Sequence, residues 1–114
     1  MKEKNIQEDI SQLQGIEQNL RGIEMQKQNM QMQLLESENS IKELKDYSGK
    51  PFRIIGPVMI ESNKDELVKD LGDKIELLKI RLESMEKQEK SFRQQFEDIQ
   101  AKLIASMNHS QKNN

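Results

Sequence analysis

The single histidine, His109, is where a search for reactive chemistry begins, and it lies in a polar tail, Asn108–Asn114, expected to be disordered. A disordered tail would make a catalytic or metal-ligand role for it remote. With no cysteine in the chain, disulfides and thiolate metal sites are excluded, and the composition suits a reducing compartment. Carboxylates are abundant, but they fall on what read as solvated helix faces, with no pocket to alter their chemistry. Neither a phosphate-binding glycine loop nor a nucleophile motif is present, and Gly49 and Gly56 read as turn residues. The expectation is a protein that is not an enzyme and uses no cofactor. The remaining chemistry is non-covalent: apolar contact and ion pairing.

The elements that would position such contacts are legible in the spacing. Hydrophobic residues make up only 33% of the 114 residues and charged residues another 33%, too lean a mixture for an ordinary globular core. Disorder and an elongated fold with a narrow seam both fit that composition, and periodicity separates them. Steps of three and four visit Ile6, Asp9, Leu13, Ile16, Leu20, Ile23, Lys27, Met30, Leu34, Ser37, Ile41 and Leu44, of which nine are apolar. A second set runs Val68, Leu71, Ile75, Leu78, Leu82, Met85, Glu89, Phe92, Phe96, Ile99, Leu103 and Ser106, with ten apolar. Disordered chains do not hold such a register. The expectation is two long helices over 5–46 and 64–107, each about 60 Å long, in a single domain spanning 1–114. Asn63 or Ser62 can cap the second helix, with Asp65 and Glu66 suited to its first turn.

Both prolines fall in the centre. Phe52-Arg53-Ile54-Ile55-Gly56-Pro57-Val58-Met59-Ile60-Glu61 is rich in β-branched and bulky apolar residues and reads as a β-hairpin within 47–63, turning at Gly56-Pro57. Pro57 cannot donate to a ladder and belongs in the turn or at an edge. Gly49 is a candidate C′ residue closing the first helix. The plainer alternative is a long connector. An isolated hairpin is marginal in water and exposes unpaired edges, so Phe52, Ile54, Ile55, Gly56, Val58, Met59 and Ile60 are expected to pair with equivalent hairpins of other subunits.

Folding the helices back on each other places positions summing to roughly 116 opposite one another, such as Leu34 and Leu82. The charged seam residues Lys27 and Glu89 then fall at about one height, and an ion pair is expected. Such a pair can fix register; alternatively both side chains reach outward to solvent. Gly15 and Gly22 lie inside the first helix and weaken it. At the far ends Ile6, Ile10, Leu13 and Ile16 come beside Ile99, Leu103, Ile104 and Met107. Leu13, Ile16, Ile99 and Leu103 read mainly as seam closure. Ile10, Ile104 and Met107 read as outward-facing contacts for a partner.

Partner classes are narrowed by charge. Eighteen basic and 20 acidic residues are interspersed, for a net charge of −2, so no basic block marks a nucleic-acid partner. No apolar run approaches the ~20 residues of a membrane span, and Met1-Lys2-Glu3-Lys4-Asn5 leads into polar sequence without a signal peptide's apolar core. A cytoplasmic location is expected.

The order helix, Phe52-x-x-x-Gly56 hairpin, helix resembles the beta class of prefoldin subunits. In that class an aromatic and a basic residue precede a short apolar strand, a glycine and a second apolar strand. Ile75-Glu76, Leu78, Arg81-Leu82 and Gln88-Glu89 look like the family's second helix. The resemblance spans most of the chain and is firmest over about 52–92. Pro57 departs from the pattern, whereas the single hairpin matches the beta class, alpha-class subunits having two. The resemblance implies a mostly α fold: an antiparallel two-helix coiled-coil hairpin with a short central β-hairpin that joins an intersubunit β-barrel. It further implies a heterohexamer of two alpha-class and four beta-class subunits that holds unfolded clients at its coiled-coil tips. Transfer to a group II chaperonin would follow without ATP. The alternative function is a coiled-coil scaffold or spacer docking one folded partner.

Overall fold

Two proline-free stretches form the helices, and the proline-containing centre forms the strands between them. The computed structural model describes the backbone of Lys2–Lys112 and the side chains of residues 5–109. The elements run α1 (Lys2–Asp46), β1 (Phe52–Ile55), β2 (Val58–Glu61) and α2 (Lys64–Lys112). Both helices overrun the ends expected from periodicity. Residues 108–112, His109 among them, are helical, not part of a disordered tail. No proline or glycine interrupts that stretch, so polarity alone does not stop the helix. Asn113 and Asn114 lie outside the described residues.

All twelve seam positions from Ile6 to Leu44 are buried or half-buried, as are all twelve from Val68 to Ser106. Most positions between them are exposed, the pattern of a helix that buries one stripe. The chain divides into two compact units, Met1–Lys27 with Ser84–Asn114, and Gln28–Glu83. The first is organised around Ile16 and Ile23, the second around Leu78 and Leu82, all of them buried. Full burial of such a side chain contributes roughly 1.5–3 kcal/mol.

In the second unit the strands pair antiparallel, with Phe52 opposite Glu61, Arg53 opposite Ile60, Ile54 opposite Met59 and Ile55 opposite Val58. The two-residue loop is Gly56-Pro57. Gly56 has φ +58°, which an L side chain rarely adopts. Proline locks the next φ near −65°. A positive φ followed by a negative one excludes a type I′ turn and fits type II′, the hairpin turn that places Gly first. Pro57 therefore costs the ladder nothing. Beyond the paired residues, the Ser62 amide donates to the Pro51 carbonyl at 3.0 Å.

The junctions with the helices are closed by side chains. Asn63 caps α2: its Oδ1 accepts from the Glu66 amide at 2.7 Å, while its carbonyl accepts from Leu67 N at 3.1 Å. Asp65 and Glu66 occupy the first turn, where the helix dipole favours negative charge. Lys64, the first residue of α2, donates its ammonium to the Lys45 carbonyl at 2.6 Å and the Tyr47 carbonyl at 3.1 Å. It thus covers acceptors that the end of α1 leaves unmatched. Gly49 is not a left-handed C′ residue, since Gly56 is the only glycine with positive φ among the described residues. Its small size matters instead: a Cβ there would fall against the Tyr47 hydroxyl. The lysine clamp takes over the capping that a left-handed glycine would provide.

Candidate interaction surfaces

The hairpin is exposed on both of its faces. Phe52, Ile54 and Met59 share one face with Glu61, and Ile55, Val58 and Ile60 share the other with Arg53, by the alternation of strand side chains. The six apolar residues range from 48% exposed at Ile60 to 70% at Ile54. Arg53 reaches Asp70 of α2 in an ion pair, and Lys50 lies 3.2 Å from Glu61. The first pair ties the ribbon to α2 and the second ties β2 to the segment before β1, and both leave the apolar surface uncovered. A groove lined by Leu44, Tyr47, Pro51, Phe52, Leu67 and Leu71 runs beneath it. A two-stranded ribbon with apolar residues on both faces is poorly stable alone and gains by pairing.

The other surface belongs to the first unit. Ile16 is buried in the seam, and Ile6, Leu13, Ile99 and Leu103 are half-buried there. Ile10, Ile104 and Met107 are exposed at 41%, 52% and 49%. The eight residues thus divide into a seam set and an outward set.

Lys27 Nζ lies 3.6 Å from Glu89 Oε2, with less than a fifth of either side chain exposed. Glu89 also receives Arg93, whose Nε is 3.7 Å from Oε1. A second charged layer was not foreseen: Asp9, 5% exposed at a seam position, lies 3.7 Å from the ammonium of Lys102. Asp9 stood in the heptad series as a polar exception, which was the available signal. Its partner sits off the seam, which is why the facing rule missed it. Met25, Met32, Leu35, Leu77 and Ile80 are also exposed off the seam. Among the described residues no helix is long and apolar enough to cross a membrane, and no cluster of three potential metal ligands occurs.

Two long helices joined by one exposed, apolar β-hairpin define a coiled-coil protein with an uncovered apolar ribbon. The family model described as "Prefoldin subunit" matches residues 7–110, and the chain belongs to that family. Within the family its likeness is to the beta class. It is 34% identical to prefoldin subunit beta of Methanococcoides burtonii over 104 residues, covering 90% of this chain and 89% of that one. It is 33% identical to the same subunit of Methanospirillum hungatei over 100 residues, covering 86% and 83%. The crystal structure of the prefoldin beta subunit from Thermococcus strain KS-1 superposes with a TM-score of 0.81 at 27% identity, covering 89% of this chain and 90% of that one. Family membership supports a chaperone subunit's role.

Proposed function

We propose that the chain is a beta-class subunit of a cytoplasmic prefoldin hexamer, assembled with alpha-class and other beta-class subunits. Its hairpin residues Phe52, Ile54, Ile55, Gly56, Val58, Met59 and Ile60 join an intersubunit β-barrel. The patch of Ile10, Ile104 and Met107, closed from behind by Ile6, Leu13, Ile16, Ile99 and Leu103, holds unfolded clients. Clients then pass to a group II chaperonin without ATP. The observation that carries this reading is the hairpin itself, apolar on both faces, with each of its six apolar residues about half exposed or more.

Capture is multivalent on this reading. Three exposed side chains make a weak contact, and several tips engaging one client raise the effective concentration and supply avidity. Weak single contacts also permit release.

The test begins with the chain purified with and without an alpha-class partner, its mass measured by light scattering, and a denatured client diluted into each sample. A hexamer-sized assembly that suppresses aggregation without ATP is expected. A stable assembly that leaves aggregation unchanged would replace this reading with a scaffold docking one folded partner.

A further inference from the structure

We infer that Met107 is an oxidation-sensitive element of the client-holding surface, converted by peroxide to the sulfoxide, after which the patch holds apolar segments more weakly. The inference rests on the reading of Ile10, Ile104 and Met107 as that surface.

With no cysteine in the chain, its seven methionines carry all of its sulfur. Their environments differ. Met30 and Met85 are half-buried in the seam. Met25, Met32, Met59 and Met107 are exposed, at 72%, 63%, 65% and 49%. Met25 and Met32 are seven residues apart on the side of α1 opposite its seam, away from the patch. Met59 is in the hairpin, which assembly would cover. Met107 alone among the described methionines belongs to the patch.

Its placement there has independent support. The Asp9–Lys102 ion pair sets the two helices side by side at this height. A small cavity lined by Asn5, Lys102, Ala105, Ser106 and His109 does the same one turn further out. Ile10 is therefore level with Ile104 and Met107. Ile10 and Met107 each lie one step past a seam residue, Asp9 and Ser106, on the flank of the seam, and Ile104 lies three residues before Met107 on the same side of α2, further from the seam.

The chemistry needs only a peroxide. The thioether sulfur lone pair attacks one peroxide oxygen, the S–O bond forms and the O–O bond breaks. The departing hydroxide takes the proton from the oxygen now bound to sulfur and becomes water, leaving the neutral sulfoxide, so sulfur loses two electrons and the peroxide gains them. The product replaces a flexible apolar group with a polar, chiral one, and enzymatic reduction of the sulfoxide reverses the change.

The experiment uses the chain assembled with an alpha-class partner, pulsed with hydrogen peroxide and mapped by peptide mass spectrometry. Client holding is read before and after the pulse. The wild-type assembly should be oxidised at Met107 and lose about fivefold in holding affinity. Met107→Leu, built with the same partner, should lose far less, whereas Met25→Leu/Met32→Leu should be as sensitive as wild type. A sulfoxide reductase should restore holding. The inference fails if Met107 stays unoxidised, if its oxidation leaves holding intact, or if Met107→Leu is as sensitive as wild type. The underlying reading is checked without peroxide: Ile10→Ser/Ile104→Ser/Met107→Ser holding clients normally would remove the surface itself.

Discussion

Lys27 and Glu89 meet across the seam at 3.6 Å with about four-fifths of each side chain covered. A charge so enclosed is costly to strand, whereas the pair together can be matched by apolar side chains of similar size. Lys27→Met should leave Glu89 with Arg93 alone and lower stability by roughly 1–3 kcal/mol. The double variant Lys27→Met/Glu89→Leu should recover most of that. Urea unfolding of the four proteins gives the coupling energy, expected at about 1 kcal/mol or more. Purely additive losses would mean the pair does not act as a unit.

Gly15 and Gly22 stand in α1 with open space where a Cβ would be. Alanine at either position meets no obstacle and removes glycine's conformational penalty, so each should stabilise the helix by about 1 kcal/mol. Hydrogen exchange should slow across residues 10–27 of the first unit. Unchanged exchange would show that the glycines are not what limits its stability.

The turn at Gly56 carries the opposite sign. With φ at +58°, alanine there would be strained by about 1–2 kcal/mol, and the locked ring of Pro57 gives the turn little means of relief. Gly56→Ala should weaken assembly, read by light scattering against concentration, while leaving the helical circular dichroism signal nearly unchanged.

Lys64 supplies two hydrogen bonds to carbonyls at and just beyond the end of α1. Lys64→Met keeps the chain's bulk and removes the donor, and should lower the melting temperature in proportion to about 1 kcal/mol. Lys64→Arg should restore part of it. Identical melting of wild type and Lys64→Met would assign the capping to solvent.

Ile54 is 70% exposed and Ile60 48%. A lysine at either position costs the isolated chain little, because the side chain already reaches water. Ile54→Lys and Ile60→Lys should nonetheless block assembly by placing an unpaired charge where subunits meet. Helical content should hold while mass by light scattering falls to that of smaller species.

Much of the molecule was decided by sequence alone, because a helix repeats its geometry every few residues. The residues at steps of three and four had to share a stripe, and the buried Leu78, Leu82, Ile16 and Ile23 all lie on it. The strands followed from β-branched and bulky apolar runs, each beginning directly after a proline, and Asn63 and Ser62 were both visible as candidate caps from their place before Asp65 and Glu66. What tertiary structure decided were meetings that the facing of seam positions does not reach. Asp9 finds Lys102, Arg53 finds Asp70, and Lys64 finds the carbonyls at and just beyond the end of α1. Periodicity fixes which way a side chain points around its own axis. It does not fix the axial stagger of a facing helix or the tilt of a hairpin, and a shift of one residue changes every polar partner while leaving the apolar stripe intact.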